Sequence, residues 1–115
     1  MSRIIALKQN SEFHRAYARG KSCASPELVT YAFRSRLRGS GCRVGITTSK
    51  KIGSAVERNR CRRVIRAAWS SLDSQVTGDW DIVFVARHKT KILKTPAVAS
   101  AMSKQLTQLG VIRKT

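Results

Sequence analysis

Apolar positions recur along the 115-residue chain in two rhythms. Helical spacing appears three times. Phe13, Ala16 and Tyr17 share one face of a short helix over 12–19, capped by Asn10 or Ser11 and closed by Gly20. Cys61, Val64, Ile65 and Ala68, with Trp69 at the edge, form a stripe in a helix that begins at Ala55 and ends near Leu72. Val98, Met102, Leu106 and Leu109 form a third stripe behind Thr95-Pro96, a cap and first turn. Alternation appears between these helices. Leu28, Thr30, Ala32 and Arg34 fall on one side of a strand, and Val29, Tyr31 and Phe33 on the other. A second strand spans 43–48. The apolar run WDIVFVA, 80–86, suits a central strand, and 21–23 can add another. Residues 1–10 read as an irregular basic arm, 35–41 as a basic turn and 88–94 as a loop. The order is α-β-β-β-α-β-α in a single α+β domain over 1–115, with a β-α-β crossover that general rules would make right-handed.

The middle helix has a second face. Ser54 and Glu57 form an S-x-x-E capping box that starts it. At about 100° per residue, Arg58, Asn59, Arg62, Arg63 and Arg66 fall in an arc of roughly 140°, opposite the apolar stripe. A helix that only needs solubility mixes its signs, and this one does not. Arginine forks match phosphate oxygens and stay charged at cellular pH. Lys50, Lys51 and Gly53 precede the helix, so an anion at its start would meet lysine charge and free amides.

The whole chain carries the same sign. It holds 23 Lys and Arg against 6 Asp and Glu, a formal charge of +17. Such a protein repels itself unless it meets a polyanion, and nucleic acid is the leading partner. No apolar stretch spans a bilayer, and no signal peptide opens the chain, so a cytoplasmic protein without membrane attachment is expected. Cys23, Cys42 and Cys61, with His14 and His88, make no zinc spacing and read as reduced thiols. The six carboxylates are scattered, which leaves no cluster to hold a catalytic metal, and neither histidine has a visible orienting partner. No catalytic residue and no metal ligand are expected in this chain. Phe13, Tyr17 and Tyr31 could be core, or could line a groove in which single-stranded bases stack.

The run RVGITTSKKIGSAVERNRCRRVIRAAW resembles the signature of the bacterial ribonuclease P protein subunit. Ser49, Lys50, Lys51, Gly53, Ala55, Val56, Arg58, Asn59, Arg60, Arg63, Arg66 and Ala68 match it without a gap. Arg62 stands where lysine is common, Ala67 where a polar residue is usual, and Trp69 where phenylalanine is usual. The resemblance implies an α-β sandwich like the second domain of ribosomal protein S5, with a left-handed crossover. It implies a 1:1 partnership with a catalytic RNA that removes the 5′ leader of precursor tRNA, with Mg2+ held mainly by the RNA. By position, Lys50, Lys51, Arg58, Asn59, Arg60, Arg62, Arg63 and Arg66 would contact the catalytic RNA. Phe13, Tyr17 and Tyr31 would line a leader-binding cleft. The competing readings are a ribosomal or other structural RNA-binding protein and a DNA-architectural protein.

Overall fold

The computed structural model describes residues 5–6, 10–35 and 41–112. Five strands form one mixed sheet: β1 (Ile5–Ala6), β2 (Lys21–Ala24), β3 (Leu28–Arg34), β4 (Cys42–Thr47) and β5 (Trp80–Ala86), in the spatial order β1-β4-β5-β3-β2. β5 sits at the centre, as its apolar run predicts. It pairs antiparallel with β3, Leu28 opposite Ala86 and Arg34 opposite Trp80, and parallel with β4, Cys42 opposite Trp80 and Thr47 opposite Val85. β1 corrects one expectation. The sequence of residues 1–10 predicts an irregular arm, but Ile5 and Ala6 pair in parallel with Arg43 and Val44. Two residues are too few for alternation to declare a strand, so only the sheet edge could reveal it. Asn10 opens the first helix, and residues 1–4, 7–9 and most of the basic turn lie outside the described residues.

Helix α1 (Asn10–Arg19) covers one face of the sheet, packing on β3 and β5. Helices α2 (Ala55–Leu72) and α3 (Thr95–Gln108) pack together against the other face. The alternation of β3 sorts its residues between these layers. Leu28, Thr30 and Ala32 are buried towards α2 and α3, while Val29, Tyr31 and Phe33 are half-buried on the side of α1. The main core joins Cys61, Val64, Ile65, Ala68, Trp69 and Leu72 of α2 to Ile82 and Phe84 of β5 and to Val98, Met102 and Leu106 of α3. Trp69 and Phe84 meet with ring centroids 5.7 Å apart. A smaller cluster under α1 joins Ala16 and Val83, with Phe13, Tyr31 and Val85 against them.

Gly20 ends α1 through close approach. A Cβ there would collide with the carbonyl oxygens of Ala16 and Ala32. One polar network lies in the main core: the Gln105 side-chain oxygen accepts from Thr30 Oγ1 at 2.6 Å, and its nitrogen donates to the Leu28 carbonyl at 2.9 Å and to Ser25 Oγ at 2.8 Å. That satisfies a buried amide and locks α3 to the β2–β3 hairpin. The start of α3 differs slightly from the sequence reading: Lys94 is the cap residue, and Thr95 and Pro96 form the first turn.

Candidate nucleic-acid interface

The capping box that starts α2 is complete. Ser54 Oγ accepts from the Glu57 amide at 3.2 Å, and Glu57 Oε1 accepts from the Ser54 amide at 3.0 Å. Gly53, at φ 147°, makes the turn into the helix, where any side chain would also strike the Glu57 carboxylate. Lys50 and Lys51 lie in the short 3-10 turn Lys50–Ile52 and are exposed. Glu57 Oε2 is also 3.4 Å from Lys91 Nζ, which donates to the Ile52 carbonyl at 2.9 Å. The Glu57 carboxyl lies below its ordinary 4.5, first because the Ser54 amide donates to it and then because of Lys91. One acid and one lysine thus hold three segments in register: the 3-10 turn, the start of α2 and the segment after β5.

The arginines of α2 divide into two groups. Arg62, Arg63 and Arg66 surround an open depression with Asn59 and Val56. Asn59 Oδ1 accepts from Arg62 Nη1 at 2.8 Å, so the asparagine orients a guanidinium. Arg58 Nε is buried without a hydrogen-bond partner, a donor that an incoming acceptor would satisfy. Arg60 is directed elsewhere. Its Nη1 donates to the Lys91 carbonyl at 2.7 Å and its Nη2 to the Leu93 carbonyl at 2.9 Å. The helical wheel leaves Arg60 out of the arginine arc, and only the family resemblance added it to the contact residues.

Asp79 and Asp81 are occupied away from this face. Asp81, 1 % exposed, takes a two-pronged bond from Arg43 at 2.9 and 2.8 Å, and Asp79 Oδ1 accepts from the Gly41 amide at 2.9 Å. Among the described residues, the ion pairs Arg43–Asp81 and Lys91–Glu57 use none of Arg58, Arg62, Arg63 or Arg66. Among the described residues no three Asp, Glu, His or Cys side chains gather in a way that could hold a metal ion. The cysteines do not pair. Burial, with a smaller contribution from Asp81, pushes the Cys42 thiol up to about 12, and burial also raises Cys61. Both are poor nucleophiles at neutral pH.

On the other face of the sheet, Phe13, Tyr17 and Tyr31 come together. The Tyr17 and Tyr31 rings meet edge to face with centroids 4.9 Å apart, and the Tyr17 hydroxyl is 2.9 Å from Thr47 Oγ1. Tyr17 is 38 % exposed, while Phe13 and Tyr31 are half-buried against Ala16 and Val83. Thr47 is the last residue of β4, just before the turn that carries Lys50 and Lys51. The aromatic cleft and the cationic start of α2 therefore meet at the same end of the sheet.

The family model for ribonuclease P matches residues 1–110. The chain belongs to the ribonuclease P protein family. The ribonuclease P protein component of Clostridium novyi is 35 % identical over 96 % of this chain and 98 % of its own, and that of Clostridioides difficile is 42 % identical over 78 % of each. The Staphylococcus aureus ribonuclease P protein superposes with a TM-score of 0.82, at 29 % identity, over 96 % of this chain and all of its own. The Thermotoga maritima protein, 21 % identical, shares the fold with a TM-score of 0.74 over 86 % of this chain and 92 % of its own. The family model and the Clostridium novyi and Staphylococcus aureus matches run nearly the length of the chain, so membership of the family, with its place in tRNA processing, rests on the whole domain as well as on the arginine helix. No described helix is long and apolar enough to cross a membrane.

Proposed function

We propose that this chain is the protein subunit of a ribonucleoprotein endonuclease. It binds one copy of the catalytic RNA through Lys50, Lys51 and the exposed face of α2, and it holds the single-stranded 5′ leader of precursor tRNA over Phe13, Tyr17 and Tyr31. The observation that carries this reading is the α2 face itself. Arg62, Arg63 and Arg66 ring an open depression, while the carboxylates Glu57, Asp79 and Asp81 are engaged elsewhere. Guanidinium forks there can take phosphate oxygens in pairs. Tyr17 offers an exposed ring on which a base can stack.

The chemistry, phosphodiester hydrolysis with Mg2+, belongs in this reading to the RNA. Among the described residues the donor set does not fit a Mg2+ site. Arg43 takes both oxygens of Asp81, and Glu57 is divided between its cap and Lys91. A hard divalent cation needs carboxylates it can draw together. What the protein supplies is positive charge, which lets two polyanionic RNAs approach, and a docking track that fixes where the leader lies.

The test is cleavage of precursor tRNA at low magnesium, with and without the catalytic RNA. The protein alone should leave the substrate intact, and the two together should cut it. Cleavage by the protein alone, abolished by substituting one of its carboxylates, would overturn the reading. Co-sedimentation with ribosomal subunits and not with the catalytic RNA would favour a structural RNA-binding protein.

A further inference from the structure

The register of the sheet puts Lys21 opposite Ala32 and Arg34 opposite Trp80, and all four lie on the side covered by α2 and α3. At the Trp80 end of that side, a recess of about 320 Å3 opens beside Leu109, the residue that closes α3. Ala32, Trp80 and Leu109 give it an apolar lining, and Lys21, Arg34 and, from the end of α1, Arg19 give it charge. All three cations are exposed. No carboxylate lines the recess among the described residues. Asp79 lines the neighbouring depression beside Arg34, and its Oδ1 already accepts from the Gly41 amide. Asp81 is buried and held by Arg43.

Trp80 packs against the main core yet stays half-buried. Its Nε1 donates to the Thr77 carbonyl at 2.9 Å, which fixes the indole. The Arg34 guanidinium carbon lies 5.6 Å from the centroid of that ring. An arginine held over an indole is a flat, charged platform. Arg34 is exposed, so its guanidinium can take a further flat group. Unpaired RNA bases stack on guanidinium planes of this kind. A cation that only covered the indole would need neither Arg19 nor Lys21 beside it, and a merely solvated surface would mix its signs.

We propose that this corner is a second docking point for the catalytic RNA, where an unpaired nucleotide lays its base on the Arg34–Trp80 pair and its phosphates against Arg19 and Lys21. The proposal rests on the RNA-binding reading above. The recess and the arginine face of α2 both belong to the helical layer, whereas Phe13 and Tyr31 pack under α1 on the opposite side. The RNA gripped by α2 is therefore the one that reaches the corner. Val85, the β5 partner of Thr47, stands five residues along the strand from Trp80, about 17 Å. One helix face alone leaves the protein free to roll on its RNA. A second contact at the far end of the sheet removes that freedom and fixes where the leader cleft points.

The experiment measures binding of the full chain to the catalytic RNA over a salt series, with nucleotide-resolution footprinting of that RNA. Arg34→Lys keeps the charge and loses the plane, so it should weaken binding by about fivefold or more with an unchanged salt slope. Arg19→Gln/Lys21→Gln should lower the slope by about 0.7 for each lost phosphate contact. A patch of unpaired RNA nucleotides protected by wild type and by Arg63→Ala should lose protection with both corner variants. The altered side chains are exposed, and thermal unfolding checks that each variant keeps the fold. Corner variants with wild-type affinity, slope and footprint, beside an Arg63→Ala that loses affinity, overturn the corner alone. No change in the corner variants or in Arg63→Ala overturns the RNA-binding reading with it. Corner variants that bind the catalytic RNA normally but weaken holoenzyme binding to precursor tRNA give the corner to the substrate and overturn the proposal.

Discussion

Arg60 and Arg63 stand three positions apart on one helix and answer to different partners. Arg63 is exposed beside the open depression, whereas Arg60 bridges the Lys91 and Leu93 carbonyls. Arg63→Ala should weaken RNA binding and lower the dependence of log affinity on log salt by about 0.7–0.9, the signature of one lost phosphate contact. An unchanged slope would place that side chain outside the interface. Arg60→Ala should leave the slope as it is and lower folding stability by roughly 1.5–3 kcal/mol, because two charge-assisted bonds disappear and two carbonyls lose a donor. Arg60→Lys should not restore it, since an ammonium cannot span two carbonyls as a planar fork does. Thermal unfolding and a salt titration on the same variants separate the two roles. The aromatic pair divides in a similar way. Tyr17→Ala should cost leader-bearing substrate more than mature tRNA with little loss of stability, because the ring is substantially exposed.

At the scale of the element, α2 depends on its first turn. Ser54→Ala removes the acceptor for the Glu57 amide and should cost about 1 kcal/mol of stability. Glu57 adds a dependence on pH. Its carboxyl is lowered in the folded chain, so its contribution is complete above the ordinary 4.5 and is lost as pH falls through the lower folded-state value. The gap in melting temperature between wild type and Glu57→Gln should therefore be open at neutral pH and close in acid. A gap that widened in acid would contradict the cap. The Glu57–Lys91–Ile52 contacts also tie this turn to Lys50 and Lys51. Loss of the cap should thus weaken RNA binding as well as the helix.

The whole molecule is governed by its charge of +17. With so few acids, and Glu57, Asp79 and Asp81 among them engaged within the fold, like charges face each other across the surface and oppose compaction. Added salt should therefore raise the melting temperature of the free protein while it lowers affinity for RNA, because screening relieves the first repulsion and counterion release drives the second. Calorimetry and binding over one salt series check both signs together. A melting temperature that fell with salt would mean that internal ion pairs outweigh the surface repulsion.

Elements that repeat long enough to show a period are legible in the amino-acid order. The apolar stripe of α2 announced its buried face, the S-x-x-E box announced its start, and the alternation of β3 told its two sides apart. The arginine arc was legible for the same reason, since one helix fixes the angle between its own residues. Tertiary structure alone decided what depends on segments far apart in the chain. Arg60 turned inward because the carbonyls of Lys91 and Leu93, some thirty residues away, come within reach of its fork. Ile5–Ala6 became a strand because β4 offered an edge. Tyr17 met Tyr31 and Thr47 because α1 lies across the sheet. Local periodicity carries the geometry of one element. Which side chains share a site is set by how the elements pack, and no spacing within a single element records that.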